Sequence, residues 1–231
     1  MTPRTGMLAL AAALLLAGAL PAQEIIMDAG AFVIRRGGTE AGREDFAIRS
    51  VTVPDGKHLL AVSTARQPGR EIQAALEVTA DHLPVTLQLT ESGGGRVLRR
   101  VNAQMAGQRF SARIVSIDGE TAREFPVRGR LCVLGDGVYA DYYFLPRPDE
   151  GETREVTLVR SSDARGIAAV VRRVGLDTIT IAGRAVPATR FTVRAGDGDE
   201  RQFWTTSDGD LMQVAISRDD ILAVRAELPR H

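Results

Sequence analysis

From residue 31 onward, short runs of alternating apolar and polar residues follow one another, each cut by turn residues. The clearest is Glu71 to Thr79, where Ile72, Ala74, Leu76 and Val78 share one side. A strict period of two marks a strand with one dry face and one wet face. Ala31–Arg36 and Ala41–Val53 flank Gly37-Gly38, a hairpin signal. Pro54-Asp55-Gly56 is a stronger one, since proline sets the first corner and glycine takes the positive φ. His58–Arg66 follows, then Glu71–Thr79, then a strand lined by Val85, Leu87 and Leu89. Beyond Ser92-Gly93-Gly94-Gly95 come Val97, Arg99 and Val101, then Phe110, Ala112 and Ile114, closed by Asp118-Gly119. Turn signals about 8–12 residues apart predict an antiparallel meander.

Residues 131–146 interrupt the rhythm. Val138-Tyr139-Ala140-Asp141-Tyr142-Tyr143-Phe144 holds all three tyrosines and is apolar almost all round at helical spacing. It reads as a short buried helix or a buried strand. Its length and Asp136, placed as an N-cap, favour the helix. The proline-rich, acidic stretch 146–152 is the best linker in the chain and the one candidate internal boundary. Strands resume at Glu155–Arg160, Ile167–Val174, Asp177–Ile181, Ala188–Arg194, Arg201–Thr206, Leu211–Ile216 and Ile221–Leu228. The expected fold class is therefore all-β with one short helix: a curved antiparallel sheet, half-barrel or open barrel, with the helix packed on its concave face.

The first 22 residues change the picture of where this sheet works. Arg4, the uncharged stretch Met7–Leu20 and the small residues Ala17, Ala19 and Ala22 have the form of a cleaved secretory signal. The apolar stretch is shorter than the roughly 20 residues a membrane helix needs. Residues 1–22 are thus expected to be a leader, and residues 23–231 a single β-rich domain in the periplasm or outside the cell. No later stretch is long and apolar enough to span a membrane. The only cysteine, Cys132, lies far from the leader, so no lipobox is present and no internal disulfide forms. The run Leu131-Cys132-Val133-Leu134 points to a buried, inert thiol. Basic and acidic residues number 29 each, and removal of the leader shifts the balance by a single charge. Such a balance argues against a nucleic-acid partner and against strong attraction to anionic membranes.

Candidate chemistry adds little. His58, His82 and the terminal His231 are the only histidines, and there is no Gly-x-Ser-x-Gly elbow. Zinc-ligand spacing is absent, and the Asp-Gly-Asp turns at 197–199 and 208–210 have hairpin reasons of their own. Glu44, Asp45, Glu71 and Glu77 read as solvent-face carboxylates. No catalytic residue, cofactor or metal is expected. The aromatics are more suggestive: Tyr139, Tyr142, Tyr143 and Phe144, with Phe191 and the adjacent Phe203 and Trp204, either fill the core or line a ligand cavity.

Gly30-Ala31-Phe32-Val33-Ile34-Arg35-Arg36-Gly37-Gly38, followed by Gly42-x-Glu44-x-Phe46, resembles the opening of periplasmic proteins with a LolA/LolB-like half-barrel. The cadences Val186–Phe191, Arg201–Trp204 and Asp208–Leu211 are similar, so the resemblance spans most of residues 30–217. It implies a curved sheet around a helix, with acylated chains carried in the cavity; no site residue transfers with it. The expectation is an exported protein that binds a lipid or other apolar or amphipathic molecule. The alternatives are a non-catalytic envelope protein with a protein partner and, more distantly, an envelope hydrolase using His58 or His82.

Overall fold

The computed structural model describes residues 24–229; the leader and His231 lie outside the described residues. The strands are β1 (Ile25–Arg36), β2 (Thr39–Val53), β3 (Gly56–Gln67), β4 (Arg70–Thr79), β5 (Pro84–Gly93), β6 (Arg96–Ala106), β7 (Arg109–Ser116) and β8 (Gly119–Pro126). They continue as β9 (Leu131–Leu134), β10 (Thr153–Arg160), β11 (Gly166–Ile181), β12 (Arg184–Ala195), β13 (Glu200–Thr205), β14 (Leu211–Ile216) and β15 (Ile221–Arg225). Among the described residues these form one 15-stranded sheet in the order β8-β7-β6-β5-β4-β3-β2-β1-β15-β14-β13-β12-β11-β10-β9. Two antiparallel meanders are thereby joined at their middle by the β1–β15 pair. Only β9 and β10 run parallel.

Alternation works as the pattern requires. In β4, Ile72, Ala74, Leu76 and Val78 are buried. Cross-strand register carries their face through the sheet: Phe32 lies opposite Glu44, Glu44 opposite Ala65, and Ala65 opposite Ile72. The same inward face includes Phe110 on β7 and Phe191 and Phe203 on β12 and β13, in one continuous core.

The curved sheet is open but barrel-like, because its two ends overlap instead of bonding edge to edge. All four residues of β9 are buried, as are the consecutive Leu158 and Val159 of β10. Burial on both faces means that this end is tucked inside the other. Val133 sits against Leu87, Ala103, Met105 and Phe110 on the inner face of β5–β7. Phe125 of β8 lies over Gly166, where an added Cβ would meet its ring at 2.8 Å. The run Leu131–Leu134 is thus a doubly covered strand, which is why it reads as continuously apolar.

Three sequence expectations are corrected. Among the described residues no helix packs on the concave face. Residues 136–144 form a tight turn followed by one five-residue 3-10 turn, Ala140–Phe144. Gly137, at φ +80°, breaks any longer helix, and Asp136 does not cap. Instead Asp136 accepts hydrogen bonds from the Ser161 hydroxyl and the Ser162 N–H. β8 escaped notice because it is a polar edge strand, exposed at nearly every position. Ile167–Val174 and Asp177–Ile181 are one strand, β11, with a register shift at Gly175.

Candidate functional site

The seven aromatic candidates separate into three places. Tyr142, Phe191 and Phe203 meet in the interior, with Phe191 and Phe203 stacked at 4.9 Å and Tyr142 6.4 Å from Phe203. Tyr139 is buried nearby, and its hydroxyl has no hydrogen-bond partner. Tyr143, half-buried, and Phe144, buried, pack on His82 at 6.0 and 5.5 Å. Trp204 faces the other way, in a small outer cluster with Ile179, Ile181, Ala188 and Met212, and its indole N–H donates to Asp177 at 3.0 Å. Phe203 inside and Trp204 outside is what period two demands of neighbours in one strand.

The interior is held by polar contacts that the sequence did not advertise. Glu44, expected at the surface, is fully buried. Its carboxyl oxygens accept the backbone N–H groups of Tyr139 at 2.7 Å and Ala140 at 3.2 Å. Burial pushes its pKa up to about 8; the two N–H bonds oppose this, and the Asp141 charge adds to it. Asp141, also buried, accepts the Gly135 N–H at 2.8 Å and is raised to about 7 by burial. Tyr142 receives a hydrogen bond from Arg201, which also pairs with Asp199, and Arg160 reaches Asp197 and Asp199. These carboxylates of the 197–199 turn are therefore engaged by arginines. A parity signal for Glu44 was present: it shares a side with Phe46 and Ile48.

Neither internal histidine is arranged for nucleophilic catalysis. His58 Nδ1 is 2.7 Å from Glu77, and its Nε2 lies 3.6 Å from Asp55. His82, in a left-handed turn with φ 60°, has its pKa lowered by burial and by Arg147 and Arg130 nearby. Among the described residues neither imidazole hydrogen-bonds a serine. Cys132 is buried, and burial pushes its thiol up to about 11.

One concavity lies at the end of the roll where the β4–β5 turn faces the segment leading into β9. A groove of about 580 Å³ runs there between Leu83, Pro84 and Val85 on one wall and Val127, Gly129 and Leu131 on the other. Met105 forms part of the floor. A narrow void too small to admit water continues beneath it, sharing Pro84, Val85 and Met105 with the groove and reaching Leu87, Phe110 and Val133. None of the seven aromatic candidates lines this groove. Sequence reasoning missed it because its walls come from segments distant in the chain, brought together by the overlap of the sheet ends.

No family model and no curated protein matches the chain. Among solved structures it is similar to a β-barrel-like protein of a domain of unknown function, DUF1849, from Brucella abortus. The TM-score is 0.49 at 10% identity, over 87% of this chain and 95% of that one.

Proposed function

We propose that this is an exported envelope protein that binds an apolar or amphipathic molecule, and that the end groove is its binding site. The observation that carries the reading is the groove lining: Leu83, Pro84, Val85, Met105, Val127 and Leu131 supply an apolar trough within the usual 300–1,000 Å³ of small-molecule sites. The interior is occupied by the protein's own Tyr139, Tyr142 and Phe203, which supports the mouth of the roll over the interior as the binding site. Each buried methylene contributes about 0.8 kcal/mol. Roughly ten would supply about 8 kcal/mol, the micromolar range, before ordering costs are subtracted. Met105 is an unbranched, adaptable floor that can repack to admit a chain toward the void below.

The test is solvent extraction of the protein purified from its native envelope, followed by titration with a fluorescent fatty-acyl probe. Leu83→Asp, at a position already partly exposed, should abolish probe binding without unfolding the protein. Equal binding by wild type and variant would remove the groove from consideration.

A second reading has its own observation. β9 pairs with β10 only over Thr157–Arg160, leaving Thr153–Val156 with no strand on that side among the described residues. An open edge is a template for strand addition by a protein partner. Photo-cross-linking from position 155 in cells should then trap one envelope protein; a clean monomer would count against it.

A further inference from the structure

The geometry points to an anionic head on the molecule bound in this groove, with Arg128 as the residue that recognises it. The inference rests on the groove being the binding site, and it narrows the ligand to a single-chain amphiphile ending in a carboxylate or phosphate. Three observations carry it. The groove lining includes no aspartate or glutamate: besides its apolar residues it holds Thr79, Gly107, Gln108, Gly129 and Arg128. Arg128 is exposed and makes no ion pair among the described residues. Two further guanidiniums, Arg130 and Arg147, outnumber the one carboxylate, Asp81, that acts on His82 in the turn carrying Leu83. Arg130 donates to the Asp81 carbonyl at 2.9 Å, in the turn that carries Leu83, and Arg147 lies close enough to His82 to act on it electrostatically.

An apolar trough that includes an unpaired guanidinium in its lining favours an anion over a neutral or cationic head of the same tail length. Guanidinium binds carboxylate or phosphate through two parallel N–H bonds, which adds orientation to charge. The chain would lie along Leu83, Val85 and Met105, and the head would stay at the water-exposed rim, so neither end is buried unsatisfied.

The experiment compares four twelve-carbon amphiphiles below their micellar concentrations: dodecanoate, dodecyl phosphate, a neutral dodecyl glycoside and dodecyltrimethylammonium. Calorimetric titration is run on the mature wild type, Arg128→Ala and Arg128→Glu. The two anions should bind the wild type about tenfold more tightly than the glycoside. Arg128→Ala should erase that preference without changing glycoside binding, and Arg128→Glu should transfer it to the ammonium. High salt should also reduce it, since the rim is solvent-exposed. A tighter phosphate assigns the head to a phospholipid-derived chain, and a carboxylate as tight or tighter assigns it to a free fatty acid. Equal binding of anion and glycoside, or an anion preference that survives Arg128→Glu, overturns the head assignment and leaves the groove standing. Binding of none of the four overturns the groove itself.

Discussion

Replacing Glu44 by glutamine should convert a pH-dependent fold into one that is indifferent to pH at this position. Glu44 is fully buried with a pKa raised from 4.5 to about 8, chiefly by burial. Between those values the folded protein holds a proton that the unfolded chain releases. The stabilisation is therefore complete below about pH 4.5 and is lost as pH rises through about 8. The slope is about 1.4 kcal/mol per pH unit, and the whole window amounts to on the order of 5 kcal/mol. Glutamine has no proton to lose. Its amide nitrogen, however, faces a backbone N–H of Tyr139 or Ala140 that the carboxyl oxygen accepted, at a cost of about 1–3 kcal/mol. Glu44→Gln should accordingly be less stable than wild type near pH 5 and more stable near pH 8, with the crossing between them. Asp141, raised in the same direction, is present in both proteins, so to first order its contribution cancels in the difference. The assay is urea unfolding at a series of pH values, followed by the fluorescence of Trp204, the only tryptophan. A stability difference that stays constant from pH 5 to 8 would refute the reasoning, because Glu44 would then carry the same charge folded and unfolded.

Other substitutions probe the frame around it. Arg225 forms a buried bidentate pair with Asp28 at 2.6 and 2.9 Å, across the pairing that joins the two meanders. Arg225→Met should cost about 3–5 kcal/mol by stranding the Asp28 charge, while adding Asp28→Leu should restore much of the loss in a double-mutant unfolding series. Gly166→Val should cost about 1–3 kcal/mol, because the new side chain enters the ring of Phe125 where the sheet ends overlap. A melting temperature equal to wild type would show that the overlap does not exist in solution. Cys132, with its thiol at about 11 instead of 9.0, should react about a hundredfold more slowly than an ordinary thiol at pH 8 and label freely only in denaturant. Rapid labelling of the native protein would contradict its burial.

Much of the local structure was legible because it depends on neighbours in the chain. Gly37-Gly38 and Pro54-Asp55-Gly56 mark hairpins through backbone dihedrals alone, and Ile72 to Val78 show their buried side by parity. Where legibility failed, distant segments decided. β8 carries no apolar alternation because it lies at an exposed edge. Asp136–Phe144 shows helical apolarity all round, yet its environment is a closed interior that satisfies its N–H groups through Glu44 instead of through helix bonds. Whether the candidate aromatics fill a core or line a cavity was left open by the sequence, because which of them meet depends on strand register across the whole sheet.

The sequence by itself determined an antiparallel all-β chain with one dry face, since alternation and turn chemistry act within about ten residues. Only the tertiary structure decided how far that face curls. Because the sheet rolls past closure, β9 is covered on both sides, Glu44 is sealed beneath the 3-10 turn, and Leu83 is brought opposite Val127 to make the groove. Each of these is a contact between segments far apart in the chain, and no period along a single strand encodes it.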